Sequence, residues 1–178
     1  MQTGNVTGER FGRDFYTRDV LDIAGEIMGK SLIVRQKDGA YKQAITEVEI
    51  YRGTEDKGSH VSRGRTKRNE IMFDQGGLLY VYLVYGMHWM LNIVTGTIEE
   101  PQALLIRGLE KINGPGRLTK ALGIDRSFHG EDLVTSRRIW VEDTPVNNRE
   151  IIQKPRVGID YAGDYWKNKP WRYILKSE

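Results

Sequence analysis

Two runs rich in β-branched residues, Ser31 to Arg35 and Gln43 to Tyr51, flank Lys37-Asp38-Gly39, and this arrangement constrains the chain more than any other feature. An Asp-Gly pair favours a tight reversal, so the runs are expected to meet as antiparallel strands. A second apolar pair, Leu78 to Val84 and Trp89 to Val94, is joined through Tyr85-Gly86-Met87-His88, and Pro101 to Leu109 reads as a further strand. A mainly antiparallel sheet follows. Phe15 to Lys30 carries Val20, Leu21, Ile23, Ala24, Ile27 and Met28 at near-helical spacing, which predicts a helix packed on a core. A loop at Gly114-Pro115-Gly116 opens a short helical stretch, Arg117 to Leu122, closed by Gly123. Short apolar runs at Ile139-Trp140-Val141 and Arg172 to Leu175 complete an α+β pattern without linker or repeat.

A chain of 178 residues suits one compact domain. Met1 to Asp14 is polar and mixed in charge, so residues 1–14 are expected to be a flexible arm ahead of a domain over residues 15–178. Hydrophobic residues at 39% and charged residues at 29% suit a globular protein, and no apolar run approaches membrane-spanning length. No secretory signal opens the sequence, and a cytoplasmic setting is expected. The absence of cysteine excludes disulfides, thiolate-held zinc and thiol catalysis. His60, His88 and His129 lack metal-ligand spacing, and Gly114 to Lys120 lacks the spacing of a phosphate-binding P-loop. Neither a metal nor a cofactor is expected.

Net charge is +3, but its placement says more: Arg63, Arg65, Lys67 and Arg68 cluster with no acid among them. Such a loop fits phosphate binding and equally fits a solvated cationic surface. Along the strand ending at Tyr51, alternation puts Glu47, Glu49 and Tyr51 on one face and Val48 and Ile50 on the other. By spacing alone, solvent-facing acids at a sheet edge are the better expectation. Tyr80 and Tyr82 share a face of the next hairpin. Tyr85 sits where the chain reverses, a position that ordinarily takes a turn-forming residue. It either folds back onto the core or stands out as a wedge of the kind that parts stacked bases. The start of the helix near Gly116 could hold one backbone phosphate.

The ordered series Thr46-Glu47-Val48-Glu49-Ile50-Tyr51, His60, Thr66-Lys67-Arg68-Asn69, Met72-Phe73, Leu79 to Met87, Asn92, Ile106-Arg107 and Gly114-Pro115-Gly116-Arg117-Leu118 resembles the alkyladenine (3-methyladenine) DNA glycosylase family. The resemblance runs from about Phe15 to Ile174. It implies a single α+β domain with a curved antiparallel sheet and a protruding hairpin that enters the minor groove. It also implies a monomer acting on double-stranded DNA that contains damaged purines, releasing the base by hydrolysis. By the same resemblance, Glu49 activates the attacking water, and Arg107 and the main-chain carbonyl of Val157 help to hold that water. Tyr51, His60 and Tyr82 enclose the flipped base, and Asn92 excludes the 2-amino group of normal guanine. Tyr85 takes the intercalating position, with Gly86 and Met87 beside it. Arg63, Arg65, Lys67, Arg68, Gly116 and Arg117 are expected to contact DNA. The sequence departs from the family at Gly108, Lys111 and Ile159-Asp160-Tyr161, which leaves the range of accepted lesions open.

Two alternatives stand beside this expectation. A non-catalytic nucleic-acid binding module would need the basic loop and the rings but not Glu49, whose burial near phosphates is costly. A sugar hydrolase would need Glu47 and Glu49 to straddle a substrate, which same-face neighbours on a strand rarely do.

Overall fold

The computed structural model describes residues 8–146 and 150–176. Among these, the first hairpin joins β2 (Ser31–Gln36) to β3 (Gly39–Arg52), with Gln36 paired to Gly39. The two-residue turn is therefore Lys37-Asp38, one position ahead of the Asp-Gly pair. Gly39 takes the positive φ of 139° just after it. The second hairpin joins β4 (Leu79–Val84) to β5 (His88–Thr95), and β6 (Gln102–Leu109) lies between β5 and β3. Beyond β2 come β8 (Ile139–Asp143) and then β1 (Glu9–Arg10) at the edge. The short strand β7 (Ile112–Asn113) pairs with β6, while β10 (Arg172–Leu175) pairs with β3 on one side and β9 (Ile151–Lys154) on the other. Every pairing is antiparallel.

Two sequence expectations need correction. The run from Phe15 to Lys30 is not one helix but α1 (Arg13–Tyr16) followed by α2 (Val20–Glu26). Asp19 ends the first and starts the second: its carboxylate accepts from the Leu21 amide at 2.9 Å and also binds Arg52 at 2.7 Å. An N-cap aspartate competes for the backbone groups that a continuous helix would use. The arm expected over residues 1–14 is not free where it is described: Glu9 and Arg10 pair with β8, and the Phe11 ring stacks on Phe15 at 3.8 Å. Residues 1–7 lie outside the described part.

The core lies between the sheet and its helices. α2 buries Val20, Ile23 and Ala24, while α3 (Pro115–Leu122) buries Leu118, Thr119 and Leu122 against β5 and β6. α3 ends at Gly123 with φ 65°, as the sequence signals, but it starts at Pro115, two residues ahead of the expected Arg117, because a proline suits the first helical turn. α4 (Asp164–Lys167) precedes β10. β3 is irregular between Ile45 and Val48, where its register against β6 shifts around Glu47. This bulge falls at the position from which the acidic face begins. No described helix is long and apolar enough to cross a membrane.

Candidate active site

β3 builds the site. Val48 and Ile50 enter the core, and Glu47, Glu49 and Tyr51 turn to the other face, as alternation requires. That face is not open water. Residues 155–159 and the Arg172 side chain from the neighbouring β10 lie against it, and Glu49 is 0% exposed, which overturns the expectation from spacing that these acids face solvent. Glu49 Oε1 accepts the Val157 amide N–H at 2.6 Å, and Oε2 accepts the Tyr51 hydroxyl at 2.9 Å. Arg107 Nε lies 3.6 Å from Glu49 Oε1 and donates to Glu47 Oε1 at 3.1 Å. Arg172 reaches the same Glu47 oxygen at 3.2 Å. Glu47 is thus committed to two guanidiniums. Burial pushes the Glu49 carboxyl above the usual carboxylate range, and Arg107, the Val157 amide, Tyr51 and Arg156 pull it partly back. A carboxylate kept ionisable but reluctant to lose its proton is suited to general-base work.

Beside Glu49 opens a cavity of about 480 Å³, within the range of small-molecule sites. The structure brings Tyr51, His60, Tyr82, Asn92, Arg107 and Val157 together around it. The His60 and Tyr82 rings lie 4.7 Å apart, and Tyr80 tilts against Tyr82 at 5.0 Å. Tyr80 Oη and His60 Nδ1 are 3.0 Å apart. Burial raises the hydroxyl of Tyr80 to about 12 and raises that of Tyr82 further, so both stay neutral. Burial, with Arg68 nearby, pushes the His60 imidazole down, which also favours its neutral form. The Asn92 side-chain amide donates to the Tyr80 carbonyl at 3.1 Å, which fixes it as a wall. Flat, neutral rings beside one carboxylate make a slot for a planar and electron-poor group.

The rim is formed by the β4–β5 hairpin. Tyr85 and Gly86 are successively left-handed, with φ 53° and 67°, and the Met87 amide closes the turn on the Val84 carbonyl at 3.1 Å. Tyr85 is 90% exposed and Met87 68% exposed. A tyrosine in this backbone region, packed on nothing, is strained without any folding return.

The cationic residues separate. Arg68 lies over the Tyr82 ring at 5.1 Å, donates to the Leu83 carbonyl at 3.3 Å and lines the cavity. Arg63 and Lys57 face a neighbouring cavity of about 410 Å³, and Lys67 faces a third recess with Arg126 and His129. Arg65 instead pairs with Glu99 and covers Phe73 at 4.2 Å. Gly116 lies in the first turn of α3, where a Cβ would come within 3.0 Å of the His88 ring, and Arg117 is exposed. Val157 touches Glu49 through its N–H, where the resemblance implies a role for its carbonyl. Sequence reasoning missed Tyr80, Tyr161 and Arg172, and it missed the fully buried ion pair of Asp56 with Arg156. Asp56 sits in the polar stretch Thr54 to Gly58, where nothing local signals its burial. Among the described residues, no group of three His, Asp or Glu side chains gathers as for a metal.

A family model described as Methylpurine-DNA glycosylase (MPG) matches residues 14–113 and 109–178. A protein of Methanocella arvoryzae is 39% identical over 185 residues, covering 93% of this chain and 92% of its own. One of Desulfitobacterium hafniense is 39% identical over 197 residues, covering 95% and 96%. One of Legionella pneumophila is 39% identical over 174 residues, covering 93% of each chain. All three carry the name "Putative 3-methyladenine DNA glycosylase".

Proposed function

Because the chain belongs to the methylpurine-DNA glycosylase family, we propose that it turns an alkylated or deaminated purine out of duplex DNA into the cavity and hydrolyses its N-glycosidic bond. The observation that carries this reading is the buried Glu49 carboxylate at the wall of an aromatic cavity whose rim bears the exposed Tyr85. A pure binding module has no use for such a carboxylate, whose burial is costly and whose charge disfavours nearby phosphates.

In this mechanism the Tyr85 hairpin enters the minor groove and fills the space that the displaced nucleotide leaves. The base lies among Tyr51, His60 and Tyr82, and Asn92 limits what its edge may carry. As the bond from C1′ to the base nitrogen breaks, its electron pair leaves with the base and C1′ gains positive character. The water oxygen forms the new bond to C1′, and Glu49 takes the proton that the water gives up. The negative carboxylate also stabilises the cationic sugar. Arg107 and the Val157 amide hold Glu49 in orientation, and a cationic alkylated base needs little further help to leave. Arg63, Lys67, Arg68 and Arg117 supply phosphate contacts. The products are a free base and an abasic site, made by a monomer without cofactor.

The test is incubation with duplexes bearing 3-methyladenine, 7-methylguanine, hypoxanthine or ethenoadenine, scoring free base and abasic sites under single-turnover conditions. Wild type is expected to release at least one base, and Glu49→Gln is expected to keep duplex affinity while losing excision. Release from none of the duplexes, or unchanged release by the variant, would overturn the proposal.

A further inference from the structure

Asp56 and Arg156 do not line the cavity, yet they are tied to Tyr51 directly and to Glu49 through its neighbours. The Arg156 guanidinium grips Asp56 through both nitrogens, at 2.6 and 2.8 Å, and donates to the Ile50 carbonyl at 2.9 Å. Ile50 follows Glu49 in the chain, and Arg156 precedes Val157, whose amide holds Glu49 Oε1. The same guanidinium lies 4.9 Å from the Tyr51 ring and 5.1 Å from the Trp171 ring. Asp56 in turn accepts the Arg52 amide at 3.2 Å and the Gly58 amide at 2.9 Å, ordering the loop that leads to His60.

Stability alone does not account for this pair. Two charges taken wholly out of water are often replaceable by apolar side chains at no loss. Arg156 Nε moreover is buried with no hydrogen-bond partner, a defect that an apolar residue would not carry. What the pair does provide is registry between the segment at Val157 and a remote part of the chain, the end of β3 with the loop over residues 53–59 that follows it.

We infer that the Asp56–Arg156 ion pair is a positioning device, holding the Val157 amide and the Tyr51 ring against Glu49 so that the carboxylate faces the attacking water. The inference rests on Glu49 being the water-activating group. Arg156 acts through Val157 and Tyr51 and touches no substrate. Its positive charge also favours the ionised form of Glu49.

Two variants test this: Arg156→Lys, which keeps the charge and loses the two-pronged grip, and Asp56→Leu/Arg156→Met, which replaces the pair by apolar groups. Three quantities are read: single-turnover excision, affinity for a lesion duplex, and the carboxyl titration of Glu49 by ¹³C NMR, assigned with Glu49→Gln. The double variant is expected to fold and bind duplex as wild type does, to excise about 10- to 100-fold more slowly, and to titrate Glu49 at higher pH. Arg156→Lys is expected to be slowed as well, with the Glu49 midpoint nearly unmoved. Wild-type excision by either folded variant would overturn the inference, as would a rate loss matched by equal losses of affinity and melting temperature. Should the double variant fail to fold, Arg156→Lys alone decides by its rate. If wild type releases no base, the reading of Glu49 fails separately, and the positioning role is then read from hydrogen exchange of the Val157 amide that holds Glu49, whose unchanged protection in the double variant would sink it on its own.

Discussion

Tyr85 offers a test in which stability and binding are expected to move in opposite directions. The side chain is 90% exposed and its backbone is left-handed at φ 53°. An exposed side chain that packs on nothing contributes little to folding, so Tyr85→Ala is expected to shift stability by no more than about 0.5 kcal/mol. Glycine removes the Cβ that the left-handed region penalises, so Tyr85→Gly is expected to stabilise by roughly 1 kcal/mol. In the complex the loss is one stacking contact, about 1 to 3 kcal/mol, or on the order of 5- to 150-fold in affinity. Affinity is best read by fluorescence anisotropy at fixed salt, in a Glu49→Gln background so that the lesion is not consumed. Stability is read by urea denaturation of the same proteins. Glycine should therefore give a more stable protein that captures lesions worse. Equal affinity for variant and parent would show that the tyrosine does not enter the duplex. A clear loss of stability in Tyr85→Gly would show that it is packed after all.

Burial raises the Glu49 carboxyl, and the base must be ionised to accept a proton. The acidic limb of single-turnover excision is thus expected above the ordinary glutamate range, and a limb at or below that range would contradict the assignment. The same shift has a stability consequence. A carboxyl whose folded pKa exceeds its unfolded value makes the folded state bind more protons between the two, so wild-type stability falls as pH rises through that window. Glu49→Gln removes this dependence, and its stability relative to wild type should improve across the window and then level off, as read by denaturation at pH values on either side. Asn92→Ser should enlarge the wall held by the bond to the Tyr80 carbonyl and raise release of 7-methylguanine relative to hypoxanthine. Losing that side-chain bond costs roughly 1 kcal/mol of stability. An unchanged product ratio by chromatography would remove Asn92 from discrimination.

Much of the fold is written locally. β2, β3, β4, β5 and β6 follow from apolar runs between short reversals, because alternation and turn chemistry act over a few residues. The end of α3 follows from Gly123 for the same reason, while its start at Pro115 lies two residues ahead of the expected one. The failures have a shared cause. Asp19 breaks the first helix because Arg52, thirty-three residues away, holds its carboxylate in the capping position. Glu9 and Arg10 are ordered because β8 offers them an edge near the other end of the chain. In both places the deciding partner is remote, and no window of sequence contains it.

The site shows the same division more sharply. Alternation places Glu47 and Glu49 together on one face of β3, but whether that face is wet depends on β10 and on residues 155–159, more than one hundred positions later. Once those segments close over it, the two acids cease to be equivalent. Glu47 shares its oxygen between Arg107 and Arg172, whereas Glu49 keeps a looser approach to Arg107 at 3.6 Å and gains a backbone amide and a tyrosine hydroxyl. One acid is neutralised into a structural bridge and the other is left buried and hydrogen-bonded at the cavity wall. Their different fates come from the partners each meets, not from residue type or spacing, so the acid fit for chemistry cannot be chosen by alternation. The exposed Tyr85 was legible as an anomaly for the opposite reason: its strain is local, and a bulky residue at a reversal conflicts with turn chemistry within a window of four residues.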